Sequence, residues 1–278
     1  AGFGRQIADW LIGINLTSVA TLKYRNQKNI RLLNVGRVLM PTLKIIYDRD
    51  KEIADFKVTK YYKLKGIFQT EDKKKFDSIY YIKAGEKFDN PEELKEIQEK
   101  IKDKNGEVVS KKITNKKEYP PYLFNLSGLQ GYITSKYKGW TSDRVLKTAQ
   151  QLYEKKFITY PRTASVVLDE SLKEKTAKVL NIHKKSCPYE EMIQFKSTKR
   201  IFDSKKVESH SAIIPTYMQP GSLNESERIV YEAVKNRFLA QFMPIAVAED
   251  TVLHIKMQNT DIPGEFVAKG KVQLEAGW

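Results

Sequence analysis

One short segment, residues 158–163 (ITYPRT), brings together groups that could attack a phosphodiester. Tyr160 offers a phenolic oxygen, and Arg162 offers a guanidinium two residues further on. A phenol is a weak nucleophile near neutral pH unless a cation stabilises its anion. An arginine can also hold two non-bridging oxygens of a phosphate. Taken alone, however, a Tyr-Pro-Arg sequence more often indicates a tyrosine packed on a proline beside a surface arginine.

Several other segments stand out because they mix Gly, Pro, Asn, Gln or His with apolar residues. They are ADWLIGINLT (8–17), VGRVLMPTL (35–43), PPYLFNL (120–126), AQQLYE (149–154) and SHSAIIPT (209–216). The last contains His210. Because histidine is versatile, it can carry a function or be a satisfied structural residue, and both interpretations of His210 stay open.

The charge of the whole chain points to a polyanionic partner. Its 278 residues carry 49 Lys and Arg against 34 Asp and Glu, a formal net charge of +15 with an isoelectric point near 9.5. Such an excess favours nucleic acid, although a basic surface kept for solubility would give the same numbers. Cys187 is the only cysteine, which excludes an internal disulfide. No apolar run approaches the roughly 20 residues of a membrane span, and we expect a reducing, cytoplasmic location.

Hydrophobic patterning divides the chain into helical and strand-rich regions. Residues 1–55 are predicted to be mainly helical, residues 56–121 and 245–278 strand-rich, and residues 122–244 mainly helical again. Because neither strand region is long enough to make a good sheet, we expect the two to pair with each other. Residues 122–244 would then be an insertion between two halves of one β domain. The predicted fold class is α+β.

Capping signals locate several helices. Asn90 followed by Pro91 predicts the start of a short helix, and Thr141 predicts the start of another. Ser222 and Glu225 match a capping box before the last long helix. The helix after Thr141 is expected to bury one apolar stripe, formed by Val145, Leu146, Ala149, Leu152 and Tyr153. That helix contains the AQQLYE segment and directly precedes the tyrosine segment.

In this order, the segments resemble the type IA DNA topoisomerases, most closely the bacterial topoisomerase III branch. The family reads approximately ADWL-x-G-x-N, VGRVQ-x-PTL, PPLFNL with a following LQ, AQ-x-LYE, ITYPRTDS and H-x-AIIPT, and nearly the whole chain lies within the resemblance. The resemblance implies the central region of such an enzyme. Residues 1–55 would be part of a helical domain, 56–121 with 245–278 a β arch or gate domain, and 122–244 an inserted winged-helix-like domain that carries the tyrosine.

The resemblance also implies roles for individual residues. Tyr160 would attack a backbone phosphate of single-stranded DNA, form a 5′-phosphotyrosyl link and release a 3′-hydroxyl, which attacks back after strand passage without ATP. Arg162 matches the arginine that stabilises charge at this phosphate, and His210 matches a histidine that supports the site. Arg37 matches an arginine expected on the DNA backbone. Further candidates for DNA contacts are Gln130, Thr163 and Arg5.

Four positions depart from the family pattern. Ala164 replaces an acidic residue, Leu39 a glutamine, Ser18 an arginine and Ser211 a histidine. The chain also contains no match to the TOPRIM domain that opens family members, whose carboxylates bind Mg²⁺ and protonate the departing 3′-oxygen. We therefore expect a central fragment without a metal site or cofactor of its own, with Mg²⁺ held by the TOPRIM domain in the longer protein. Such a fragment should bind single-stranded or underwound DNA but cleave it poorly.

Two other functions stay open from the sequence. A non-catalytic module that binds single-stranded nucleic acid would share the basic charge, with Tyr160 incidental. A strand transferase like the tyrosine recombinases would need several Arg and His residues around a tyrosine late in the chain, and neither is evident. For a topoisomerase the expected location is the bacterial cytoplasm, in association with the nucleoid.

Overall fold

The computed structural model describes residues 2–25, 32–185 and 187–278. Within these residues it contains seven α-helices and one five-stranded antiparallel sheet, which confirms the predicted α+β class. None of the described helices combines the length and the apolar character needed to cross a membrane.

Helices and strands follow one another in blocks along the chain. The helices are α1 (Gly2–Tyr24), α2 (Leu39–Ala54), α3 (Pro91–Ile101), α4 (Leu126–Lys136), α5 (Ser142–Glu154), α6 (Lys173–Lys184) and α7 (Glu225–Ala240). The strands are β1 (Lys65–Gln69), β2 (Lys75–Tyr81), β3 (Gly106–Glu118), β4 (Ala246–Met257) and β5 (Glu265–Glu275). The chain divides into two compact units, one of residues 1–62 with 87–91 and one of residues 63–86 with 92–278.

The first unit contains α1 and α2, as the helical prediction for this region requires. Two threonines on α1 hold the segment that leads into α2. The Thr21 hydroxyl accepts the Leu33 N–H at 3.0 Å, and the Thr17 hydroxyl accepts the Val35 N–H at 2.9 Å. These bonds satisfy backbone donors in a segment that has no regular structure. Part of the predicted helical region, residues 26–31, lies outside the described residues.

The sheet of the second unit joins the two strand-rich regions, which confirms the predicted pairing. Its strand order is β1-β2-β5-β4-β3. The last residue of β3, Glu118, pairs with the first residue of β4, Ala246. Residues 119–245 therefore leave the sheet and return to it at one point. The exact domain boundaries given above stay a prediction.

The first part of the strand-rich region is less regular than predicted. Phe56 and Val58 were expected in a strand, but β1 begins only at Lys65. In the preceding segment, Tyr62 makes a single bridge to Phe88. Residues of high β propensity form a strand only where a partner strand is available, because the ladder bonds and cross-strand contacts supply the stability.

Side-chain caps begin three of the four helices of the inserted region, α4, α5 and α7. The predicted cap at Thr141 is confirmed, since its hydroxyl accepts the Arg144 N–H at 3.2 Å. The predicted capping box at Ser222 is wrong by two residues. Asn224 is the N-cap of α7, where its side chain accepts the Glu227 N–H at 2.9 Å while the Glu227 carboxylate accepts the Asn224 N–H. Glu227 is also held by an ion pair with Lys155, 2.6 Å away, a contact that no local pattern reveals.

Candidate active site around Tyr160

Two of the segments singled out in the sequence lie side by side in the second unit. Ile158 and Pro215 form an antiparallel bridge between the tyrosine segment and the histidine segment. The Thr159 N–H donates to the Ile214 carbonyl at 2.9 Å, and the Ile214 N–H donates to the Thr159 hydroxyl at 3.0 Å. That hydroxyl in turn donates to the Ala212 carbonyl at 3.2 Å. Thr159 therefore fixes the residue before the tyrosine by both its backbone and its side chain.

The histidine segment is anchored between two hydrophobic clusters. Ala212 and Ile214 pack into a cluster that includes Phe238, whereas Ile213 packs into another that includes Leu152. Successive side chains of an extended segment point to opposite sides, which explains this alternation. Both clusters are thus part of the support beneath Tyr160.

The ring of Tyr160 is half-buried and lies between two other rings. Its centroid is 4.7 Å from that of His210 and 5.3 Å from that of Tyr153, which meets it edge-on at 73°. Tyr153 was predicted to be buried with the apolar stripe of α5, but it is 39% exposed. Val145 and Leu152 of that stripe are fully buried as predicted. Tyr153 differs because it lies at the end of α5, where Tyr160 supplies its contact.

Thr163 ties the loop after the tyrosine to the backbone of His210. Its buried hydroxyl donates to the His210 carbonyl at 2.8 Å and accepts the Ser165 N–H at 3.1 Å. The hydroxyl predicted to contact DNA is therefore already engaged inside the protein. The arrangement sets the position of His210 relative to Tyr160.

A third segment, PPYLFNL, closes the loop from its other side. The Asn125 amide donates to the Ala164 carbonyl at 3.0 Å, while its oxygen accepts the Gly128 N–H at 2.8 Å and so caps α4. The Leu126 N–H donates to the Thr163 carbonyl at 3.2 Å. Asn125 is not among the residues predicted from the sequence to belong to the site. An Asn just before a helical segment is a recognisable cap, but its second bond to a distant loop has no local signal.

The cationic side chain beside Tyr160 is open to solvent. Pro161 is buried and holds the backbone, whereas Arg162 and His210 are exposed. In the part of the chain that the structure describes, the Arg162 guanidinium has no hydrogen bond or ion pair. Its charge is therefore available to an anion at the surface.

The other predicted DNA contacts lie elsewhere or are engaged. The half-buried Gln130 amide donates to the Ser142 carbonyl at 3.0 Å. Arg37 and Arg5 belong to the first unit, where both face Asp9. The Arg37 Nε lies 2.8 Å and 3.0 Å from the two Asp9 carboxylate oxygens, and the Arg5 Nε lies 3.8 Å from one of them. DNA contacts by these residues stay predictions.

One of the departures from the family pattern has a structural partner here. The Ser211 hydroxyl accepts the Asp169 N–H at 3.0 Å. A serine at this position thus joins the histidine segment to the turn before α6.

The described residues do not fit a site for the Mg²⁺ that the resemblance implies. Among them, no three His, Cys, Asp or Glu side chains are grouped so that they could hold a metal ion. The chemistry available at Tyr160 in this chain is that of a phenol, a guanidinium and an imidazole. A half-buried phenol beside His210, with Arg162 two residues further along the chain, could attack a phosphorus atom whose oxygens the guanidinium holds.

Known proteins match this chain along its whole length. Residues 1–278 match a family model described as DNA topoisomerase. DNA topoisomerase 3 of Staphylococcus epidermidis is 33% identical over 286 residues, which cover 100% of this chain and 38% of that protein. DNA topoisomerase 3 of Bacillus cereus is also 33% identical and covers 99% of this chain and 37% of its own length.

A solved structure agrees with these relatives. The structure of full-length topoisomerase I from Thermotoga maritima matches with a TM-score of 0.72 and 29% sequence identity, covering 99% of this chain and 44% of the other. The chain therefore spans well under half the length of the proteins it resembles. Since the family model covers every residue and both the relatives and the fold agree with it, the chain belongs to the type IA DNA topoisomerase family.

Proposed function

We propose that this chain carries the nucleophile with which a DNA topoisomerase breaks and reseals one DNA strand. The phenolic oxygen of Tyr160 bonds to a backbone phosphorus, and the bond from that phosphorus to the 3′-oxygen breaks. The phenolic proton is balanced by the proton gained on the 3′-hydroxyl. The reverse reaction reseals the strand, and because one phosphodiester replaces another of similar energy, no ATP is consumed.

Arg162 and His210 assist this reaction at the phosphate. The exposed guanidinium of Arg162 holds non-bridging oxygens and stabilises the charge that develops on them. His210 supports the phosphate by hydrogen bonding, and its ring lies 4.7 Å from that of Tyr160. Thr163 positions His210 through its bond to the backbone carbonyl. The contact between Tyr160 and His210 is the observation that carries the proposal.

The substrate in this proposal is single-stranded or underwound DNA in the bacterial cytoplasm, associated with the nucleoid. The net charge of +15 supports a polyanionic partner. By itself, the chain binds single strands and cleaves them weakly. The reason is that the resemblance assigns the proton-donating and Mg²⁺-binding carboxylates to a TOPRIM domain of the longer protein.

Covalent trapping tests the proposal. The full-length protein is incubated with a single-stranded oligonucleotide labelled at its 3′ end, denatured, and searched for a labelled adduct by gel and by mass spectrometry. We expect the adduct to form on Tyr160. In Tyr160→Phe, both the adduct and the relaxation of underwound plasmid should be lost, whereas the affinity for the oligonucleotide should not change. The matched control Tyr153→Phe should still form the adduct.

The outcomes separate an enzyme from a binding module. An adduct that persists in Tyr160→Phe would show that another residue is the nucleophile. Binding without any adduct in the full-length protein would instead favour a non-catalytic single-strand-binding module.

A further inference from the structure

A second feature of the inserted region lies outside the tyrosine and histidine segments. Five partly exposed aromatic rings follow one another over its surface, and we call them the aromatic band: Tyr119, Tyr122, Tyr132, Tyr137 and Trp140. Tyr119 is 50% exposed and Tyr122 is 41% exposed, while the other three are half-buried. Rings that remain this accessible contribute less to a core than buried rings do.

Arginines lie over the first rings of the band. The Arg200 guanidinium carbon is 4.0 Å from the Tyr122 ring centre and 5.4 Å from that of Tyr119. The Arg237 guanidinium carbon is 5.4 Å from the Tyr132 ring centre, and this guanidinium also donates to the Tyr122 carbonyl at 3.0 Å. Arg200 thus lies near two rings of the band. Arg237 lies near one, contacts Tyr122 only through its backbone carbonyl, and is closer still to the buried Phe124 ring, at 4.0 Å.

Cations continue along the rest of the band. The Lys136 ammonium lies 5.3 Å from the Tyr132 ring centre and 5.9 Å from that of Tyr137. The Tyr137 and Trp140 centroids are 6.5 Å apart. The Arg144 guanidinium carbon is then 4.2 Å from the Trp140 ring centre. Each ring centre of the band thus has a cation no more than 5.9 Å away, although the Tyr137 and Trp140 rings neighbour each other directly.

Among residues 2–25, 32–185 and 187–278, no carboxylate pairs with the cations of the band. Within the described residues, its cations donate to uncharged oxygens: Arg200 to the Pro120 carbonyl, Arg237 to the Tyr122 carbonyl, Lys136 to the Tyr132 hydroxyl and Arg144 to the Ser226 hydroxyl. A cation placed on a ring face without a carboxylate partner keeps its attraction for an external anion.

We propose that the aromatic band binds unpaired nucleotides, with bases stacked on the rings and phosphates held by the intervening cations. Stacking needs a free base face, which a single strand offers and a duplex does not, and every base provides such a face. The inference rests on the proposed function in taking DNA as the partner. It assigns nucleotide binding to residues that are neither Tyr160 nor any of those predicted from the sequence to contact DNA.

Substitution of Tyr122 in the 278-residue chain tests the proposal for the aromatic band. Fluorescence anisotropy with a dye-labelled oligothymidylate measures affinity for a single strand, and a hairpin duplex of equal charge serves as the second probe. Tyr122→Leu removes the ring and should weaken single-strand binding at least about fivefold, with little effect on the duplex. Tyr122→Phe keeps the ring and should bind like the unsubstituted chain. Tyr189→Leu, which changes a similarly exposed tyrosine outside the band, should also bind normally.

A second readout does not depend on a substitution in the band. In a chain with Trp10→Phe and Trp278→Phe, Trp140 is the only tryptophan, and the oligothymidylate should quench the tryptophan emission, excited selectively, by stacking. Equal affinity of Tyr122→Leu and Tyr122→Phe together with unquenched Trp140 would overturn the proposal. So would a chain that binds no single strand. The adduct on Tyr160 is measured in a separate assay. If the adduct forms but Tyr122→Leu binds normally, only the proposal for the aromatic band is refuted. If Tyr122→Leu binds weakly but no adduct forms, only the assignment of Tyr160 as nucleophile is refuted.

Discussion

The Thr163 hydroxyl donates to the backbone carbonyl of His210 at 2.8 Å, across two segments that are distant in the sequence. On one side of this bond the chain leads back through Pro161 to Tyr160, whose ring lies 4.7 Å from that of His210. One partly buried hydrogen bond thus joins the segment that carries Tyr160 to the segment that carries His210.

Removal of this bond should lower both stability and cleavage. Thr163→Val keeps the volume of the side chain but leaves the His210 carbonyl without its donor. We expect a loss of about 1–2 kcal/mol in the free energy of unfolding, measured by guanidinium titration. Adduct formation should slow while oligonucleotide affinity is retained. Thr163→Ser keeps the hydroxyl and should preserve the cleavage rate. If valine cleaves as fast as serine, Thr163 does not position the site.

The edge-on contact of the Tyr153 ring should help to hold the Tyr160 ring in place. Tyr153→Leu removes this contact, whose worth in aromatic pairs is about 0.5–1.5 kcal/mol. We expect adduct formation to slow by roughly two- to tenfold, because the phenol is held less firmly. Single-turnover measurements on the full-length protein would detect this change. An unaltered rate in Tyr153→Leu would mean that His210 and the backbone hold Tyr160 without help.

Features that depend on local residue patterns or on the lengths of the strand regions were predictable from the sequence. Thr141 caps α5 as its side chain indicates. The pairing of β3 with β4 followed from the shortness of the two strand regions, and the register Glu118 to Ala246 agrees with it. The order of the segments along the chain indicated the family from the sequence alone.

Features that depend on distant partners could not be predicted in this way. The cap of α7 falls at Asn224 rather than Ser222, and Glu227 gains a second partner from another helix, Lys155. Tyr153 has the spacing of a core residue but finds its contact in Tyr160. In each case a tertiary contact selects between alternatives that the local sequence leaves equivalent.

The position of the α7 cap gives a stability prediction. Asn224→Ala removes the side-chain acceptor of the Glu227 N–H and should cost about 1 kcal/mol in the free energy of unfolding. Ser222→Ala changes a residue outside the observed cap and should stay within about 0.5 kcal/mol of the unsubstituted chain. Chemical unfolding of both variants decides between the two positions. A larger loss at Ser222 would contradict the observed start of α7.

Binding to single strands should depend steeply on salt. Each phosphate contact on a single strand contributes about −0.7 to the slope of log affinity against log salt concentration. Arg144→Gln removes one cation of the aromatic band and should reduce the steepness by about that amount. Lys147→Gln is a matched control, because Lys147 already pairs with Asp143 at 2.8 Å. Equal slopes for Arg144→Gln and the unsubstituted chain would mean that Arg144 contacts no phosphate.

The buried His183 should make stability depend on pH. Its side chain is 1% exposed, and its Nε2 lies 2.7 Å from the Thr216 carbonyl at the end of the histidine segment. Burial lowers the pKa of His183 below its ordinary value of 6.5, more than the hydrogen bond to Thr216 raises it. Below about pH 6.5 the unfolded chain therefore binds a proton that the folded chain does not.

The sign of the effect follows from this difference in proton binding. Stability contributed by neutral His183 is fully present above about pH 6.5 and is lost as pH falls toward the lowered folded pKa, with a slope of at most about 1.4 kcal/mol per pH unit. Guanidinium titrations between pH 5 and 8 would measure it. His183→Gln does not titrate, so its dependence on pH in this window should be shallower even though it starts from lower stability. Parallel curves for the two chains would assign the pH dependence to other groups.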